Sequence, residues 1–89
     1  MSRPAAYRVP FRLERRNGAY RLINVSAEVV HGVTLTLHGS GVMAASPPRL
    51  VRPGYGIEVD VPRSRLADAV LVVRWVRQTG VEYVWRLPV

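Results

Sequence analysis

The chain has 89 residues and a mass of 10.0 kDa, with 48% hydrophobic and 21% charged residues and a formal net charge of +7. A chain of this size holds one hydrophobic core and excludes two independent domains, and about 64% of its extended surface can be buried on folding. Cysteine is absent, which excludes disulfides, thiolate zinc sites, iron–sulfur ligation and cysteine nucleophiles.

All thirteen basic residues are arginine. Guanidinium is the preferred group for bidentate phosphate recognition, so an arginine-only surface suits a nucleotide or nucleic-acid binder. A GC-rich coding sequence produces the same bias and is the simpler account of composition taken alone. The segment Met1-Ser2-Arg3-Pro4-Ala5-Ala6 runs directly into charged, alternating sequence, with no apolar leader and no stretch of membrane-spanning length. The expectation is a cytoplasmic chain with no membrane contact, a flexible N-terminus over residues 1–5 and a single domain over residues 6–89.

Apolar residues recur with period two along most of the chain, which predicts strands throughout. Tyr7, Val9, Phe11 and Leu13 alternate with Arg8, Pro10, Arg12 and Glu14, an edge strand because Pro10 cannot donate to a ladder. Asn17-Gly18 then predicts a hairpin that sets Leu13 against Leu22 inside and Glu14 against Arg21 outside. The second strand covers about Ala19 to Val25, after which Asn24, Ser26 and Glu28 break the pattern and His31-Gly32 predicts a turn. Val33, Leu35 and Leu37 form a half-buried strand ending at Gly39-Ser40-Gly41, followed by a short strand over Val42 to Ala45 and an extended break at Pro47-Pro48. Pro53-Gly54 predicts a turn into a strand over Ile57 to Val61, and Arg63 to Asp68 reads as a polar connection with one helical turn.

Val70 to Arg77 and Val81 to Leu87 flank Gln78-Thr79-Gly80, a three-residue hairpin loop with a bulge. That register places Trp75 beside Tyr83, Val73 beside Trp85 and Leu71 beside Leu87, so both tryptophans share one apolar face. The strand from Val70 is apolar on both faces, which fits a central position or, if Val70, Val72 and Val76 are exposed, a surface for weak homodimerisation. About seven strands with regular turn signals predict an all-β, immunoglobulin-like two-sheet antiparallel sandwich, with a small β-barrel as the alternative.

The run from Tyr20 to Leu37, with the later Val51-Arg52-Pro53-Gly54 and Ile57 to Val61, resembles bacterial immunoglobulin-like sandwiches of the cell-adhesion-related (CARDB-like) type. That resemblance implies a spacer or interaction module. A second resemblance is to PilZ domains, small β-barrels that bind cyclic di-GMP through an Arg-x-x-x-Arg motif and a later Asp/Asn-x-Ser-x-x-Gly motif. Arg8 to Arg12 and Arg12 to Arg16 both fit the first spacing, and Asn24-Val25-Ser26 begins the second, with Val29 at the glycine position. The interval from Arg16 to Asn24 is shorter than the strand that separates the motifs in the family. Val72 to Val76 and Gly80 to Tyr83 look like the closing strands of such a barrel.

Arg8, Arg12, Arg15, Arg16 and Arg21 gather around the first hairpin and form the candidate anion or partner surface. As an alternative, these charges simply keep an edge strand from pairing with other chains. Phe11, Trp75, Tyr83 and Trp85 fall on inward faces, which counts against base stacking and hence against nucleic acid. No spacing joins His31 or His38 to a carboxylate as a metal site, and the serines and carboxylates form no catalytic arrangement. Asn24-Val25-Ser26 also matches a glycosylation acceptor. The expectation is therefore a non-enzymatic protein-interaction or structural module without cofactor, whose arginines select an acidic protein partner. The alternative is a PilZ-like domain that binds a cyclic dinucleotide or other phosphate ligand through the same arginines.

Overall fold

A computed structural model describes residues 7–16, 19–39, 42–59 and 69–88. Eight strands follow in chain order: β1 (Phe11–Arg16), β2 (Ala19–Asn24), β3 (Val30–Gly39), β4 (Val42–Ala45), β5 (Arg49–Val51), β6 (Gly56–Val59), β7 (Val70–Val76) and β8 (Glu82–Pro88). They form two antiparallel sheets, one ordered β1-β2-β6 and the other β4-β3-β7-β8 with β5 also pairing β3. The sheets make a sandwich and do not close into a barrel, so the barrel alternative is set aside. The N-terminal segment 1–5, the Asn17-Gly18 turn, Ser40-Gly41 and the helical turn expected over Arg63 to Asp68 lie outside the described residues, as does the continuation of β6 to Val61.

Both hairpins take the register that alternation predicts. Leu13 pairs with Leu22 and Glu14 with Arg21 across β1 and β2. Across β7 and β8, Leu71 faces Leu87, Val73 faces Trp85 and Trp75 faces Tyr83. The loop between them closes with Gly80 at φ 85 and its amide donating to the Arg77 carbonyl over 2.8 Å. A left-handed backbone angle there is cheap only for glycine. The Pro53-Gly54 turn is closed the same way: the Tyr55 amide donates to the Arg52 carbonyl over 3.0 Å, with Gly54 at φ 80.

Three local expectations are corrected. β1 begins at Phe11, because Pro10 has no amide hydrogen to return the bond that its carbonyl accepts from the Val25 amide at the next rung of the register. Pro10 is itself buried, and Val9, which alternation places inside, is exposed. His31-Gly32 is a bulge inside β3: Gly32 sits at φ 59, and the pairings of β3 with both β5 and β7 shift register around it. β5 is a further short strand, one more than the alternation resolves.

The core lies between the sheets. Phe11, Tyr20, Leu22, Ile57 and Val59 come from the smaller sheet and Val33, Leu35, Leu71, Val73 and Trp75 from the larger. β7 is central between β3 and β8, which is why it is apolar on both faces. Its outward Val72 is 6% exposed even on the solvent side of the sheet. Tyr83, Trp85 and Leu87 of β8 are only half-buried, since the facing sheet is narrower and leaves the margin of the larger one less covered. Tyr7 crosses from the N-terminal segment to the larger sheet, where its hydroxyl accepts a hydrogen bond from Trp75 Nε1 over 3.0 Å.

Candidate functional site

The turn after β2 is organised by Asn24. The sequence reads this residue as a polar break in the alternation, and the structure buries it fully. Its Nδ2 donates to the Glu28 carbonyl over 2.7 Å and to the Val51 carbonyl over 3.0 Å. Its Oδ1 accepts from the Ser26 amide over 2.9 Å and from Ser26 Oγ over 2.7 Å. Every donor and acceptor of the side chain is used, the condition under which a buried amide stabilises rather than costs. Short polar side chains that bond their own backbone two residues on are turn-formers, and Asn24 does this while also gripping β5.

The backbone of the same residue joins a third segment. The Asn24 amide donates to the Tyr55 carbonyl over 2.9 Å, and the Gly54 amide donates to the Asn24 carbonyl over 2.8 Å. On the other flank, the Val25 amide donates to the Pro10 carbonyl over 2.8 Å. Three stretches far apart in sequence, Arg8–Pro10, Asn24–Ser26 and Arg52–Tyr55, are thereby fixed side by side at one end of the sandwich. Arg8 is held between the packed ring of Tyr7 and the buried Pro10, so its backbone is positioned while its side chain reaches solvent.

What this end shows to solvent is mixed. Val25 is 51%, Leu50 53% and Tyr55 62% exposed, a high value for such large apolar side chains. Leu50 and Tyr55 line an open groove of about 350 Å³ together with Arg49 and Arg52. Gly56 forms part of its wall, and a Cβ there would stand 2.7 Å from Arg21 Nε, so the missing side chain is what lets Arg21 lie across β6. Guanidinium groups beside an exposed ring and aliphatic side chains can hold a phosphate and a planar or apolar group together.

The five arginines expected to form one surface are placed differently. Arg8 is exposed beside the Asn24 turn. Arg12, one residue past the Phe11–Asn24 pair, donates to Glu14 over 2.6 Å. Arg21 lies opposite Glu14 on one side and Glu58 on the other, so the outer face of this sheet is charge-compensated. Arg15 falls on the opposite face and stands 5.7 Å from the centre of the Tyr20 ring. The side chain of Arg16 lies outside the described residues. The structure thus sets the backbone of the Arg8–Arg12 stretch beside the Asn24 turn, with the Arg12 side chain turned to Glu14, and leaves Arg15 on the other face.

Sequence reasoning missed Arg52 and Tyr55. The signal available was a Pro-Gly turn with a guanidinium on one side and an aromatic ring on the other, outside the alternating strands on which the other aromatics were placed. His31 and His38 are exposed at opposite ends of β3, and among the described residues no three metal-ligating side chains come together. No helix among these residues is long and apolar enough to cross a membrane. No protein-family model matches the chain, and no curated protein matches its sequence.

Proposed function

We propose that this domain is a non-enzymatic binding module for a phosphate-bearing ligand, of the cyclic dinucleotide class that the PilZ resemblance implies, held at the Asn24 end of the sandwich. The observation that carries the reading is the backbone bond from Val25 to Pro10, next to the Phe11–Asn24 pair. It sets the Arg8–Arg12 spacing directly against Asn24-Val25-Ser26, the adjacency that two halves of one binding motif require. Arg8 and Arg52 supply forked donors to phosphate, and Tyr55 and Val25 supply the faces for a base. Asn24 and Ser26 act as positioning residues, their polar atoms being spent on the turn. Support comes from the placement of the motif and not from the fold, since the sheets form an open sandwich where the family has a barrel, and Val29 stands at the glycine position.

The test is an amide-resolved NMR titration of the labelled domain with cyclic di-GMP at low and high salt. Saturable shifts at Arg8, Arg12, Val25, Arg52 and Tyr55 are expected, weakened by salt because the charges are exposed. The double substitution Arg8→Gln with Arg52→Gln should weaken binding by about tenfold or more, two charge-assisted contacts being lost. Absence of saturable shifts at millimolar ligand overturns the reading.

One observation favours a second reading, an interaction module that adds an acidic strand from a protein partner. Among the described residues β5 pairs only with β3 and β6 only with β2, so both present open edges at the Arg49–Arg52 groove. Unpaired edge backbone accepts an added strand, and the arginines favour acidic side chains on it. A synthetic acidic peptide shifting the amides of Arg49 to Val59, with no response to the dinucleotide, distinguishes this reading from the first.

A further inference from the structure

The solvent face of the larger sheet carries a second concentration of positive charge. On this face Thr36, Val72 and Arg86 form one cross-strand row, and Thr34, Arg74 and Val84 form the next. Arg74 and Arg86 are therefore diagonal neighbours on adjoining strands, with backbones about 7–8 Å apart, a separation two long side chains span together. His38 lies opposite Val70 at the end of β3. His38, Val70, Val72, Arg74 and Arg86 line a shallow depression of about 260 Å³. Val72 forms its floor at 6% exposure, while His38 and both arginines are exposed.

Compensation separates this face from the one across the sandwich. Around the first hairpin, Arg12 is paired with Glu14, and Arg21 stands between two glutamates. On the larger sheet neither Arg74 nor Arg86 has an ion-pair partner among the described residues. The one described acid on this face, Glu82, stands opposite Val76, diagonal to Arg74 and outside the depression. Glu82 stands at the same diagonal separation from Arg74 as Arg86 does, yet makes no ion pair with it, so both guanidiniums are free to turn toward an anion in the depression.

We propose that this depression is a second site, separate from the Asn24 end, for the dianionic phosphate of a phosphomonoester. Its charge matches the two unpaired guanidiniums, and its peripheral oxygens accept forked donors from two directions at once. The His38 imidazole and the Thr36 hydroxyl supply further donors, while the valine floor excludes water from one side. An isolated carboxylate has too few acceptor directions to engage both forks and the imidazole together.

The experiment is a titration of the labelled full chain with inorganic phosphate at constant ionic strength, read at backbone amides and arginine Nε–H groups. Saturable shifts are expected at Thr36, Val72, Arg74, Val84 and Arg86. Arg74→Gln with Arg86→Gln should weaken this response by about tenfold or more, and His38→Gln by about two- to fivefold, in line with losing two guanidinium contacts and one imidazole contact. Arg8→Gln with Arg52→Gln should leave it unchanged. A sugar phosphate and O-phosphoserine, added in turn, identify by the tighter response which kind of molecule carries the phosphate. Shifts that stay linear and spread over the surface, or a response that survives the Arg74/Arg86 double substitution, overturn the proposal. Because the Asn24 end is probed by a different ligand and different substitutions, either site can fail without the other.

Discussion

The Tyr7 corner and the Asn24 end are both places where the N-terminal segment is tied to the rest of the sandwich, and they are tied by opposite means. At the corner the closure is aromatic: Tyr7 lies 4.6 Å from Tyr83, Phe11 meets Trp75 edge-on at 5.3 Å, and Trp75 stacks on Tyr83 at 5.8 Å. Arg77 completes it, its guanidinium 3.9 Å from the centre of the Tyr7 ring and 2.7 Å from Glu28. That hydrogen bond to Glu28 raises the pKa of Arg77 above its already high usual value, so the group is a permanent structural cation. At the Asn24 end the closure is made of hydrogen bonds, and the aromatic ring, Tyr55, points to water instead. Arg77, held by both a ring and a carboxylate, is consumed by structure, whereas Arg8 and Arg52 form no ion pair among the described residues and are left for a ligand.

Glu28 belongs to both regions. Its carboxylate holds Arg77 at the corner, while its backbone carbonyl accepts from Asn24 Nδ2. The two closures share one residue but have different energetics, and four substitutions measure the difference.

The largest effect is expected at the corner. Trp75→Ala removes a ring that is 2% exposed, together with its hydrogen bond to Tyr7, and should cost about 4 kcal/mol through lost burial and the cavity left behind. In a domain whose whole stability is of order 5–10 kcal/mol, that leaves only a thin margin of folded protein. Trp75→Phe keeps most of the packing and loses the N–H donor, so its denaturation midpoint should fall between those of Trp75→Ala and the parent chain. A midpoint for Trp75→Ala above that of Asn24→Ala would reverse the ranking of the two regions.

Asn24→Ala should cost less, about 2–3 kcal/mol, measured by denaturant unfolding with an unchanged m-value. It strips the donor from the Val51 carbonyl, a buried contact, and from the Glu28 carbonyl, and it frees Ser26. Asn24→Asp sharpens the test. It keeps the acceptor for Ser26 but turns a carboxylate toward two carbonyl oxygens in a fully buried place, so at neutral pH it should destabilise at least as much as alanine. A neutral result for both substitutions would make the turn independent of Asn24.

How far these features can be read from the chain follows from their range. The registers of both hairpins are legible because alternation and turn residues act between neighbours, as with Leu13 and Leu22 or Trp75 and Tyr83. The partial neutralisation of Arg21 by Glu14 is legible too, since the first hairpin sets them opposite each other, whereas Glu58 reaches Arg21 only through the pairing of β2 with β6, which no turn announces. Asn24 is not, since a polar residue at a strand end looks the same whether water or a carbonyl 27 residues away receives its hydrogen bond. The grouping of His38, Arg74 and Arg86 depends on β3 pairing with β7, a contact with no turn between its strands to announce it. Gly32 misleads for a related reason: a positive φ serves a turn or a bulge equally, and only the partner strands decide which.

The smallest effect belongs to the surface pair that the sequence places at the centre of its basic patch. Arg12 and Glu14 are in contact over 2.6 Å, yet their side chains are 64% and 39% exposed, so water screens the attraction and two long side chains must be ordered to make it. Arg12→Gln and Glu14→Gln should each change stability by no more than about 0.5 kcal/mol, and a double-substitution cycle should return a coupling of similar size. Binding separates the two substitutions where stability does not. If a phosphate ligand draws Arg12 away from Glu14, Glu14→Gln releases that guanidinium in advance and tightens the dinucleotide, while Arg12→Gln weakens it. Equal and negligible effects of both on binding would confine the ligand to Arg8 and Arg52, and would make the Arg12–Glu14 pair part of the compensated face that keeps this edge of the sandwich from pairing with other chains.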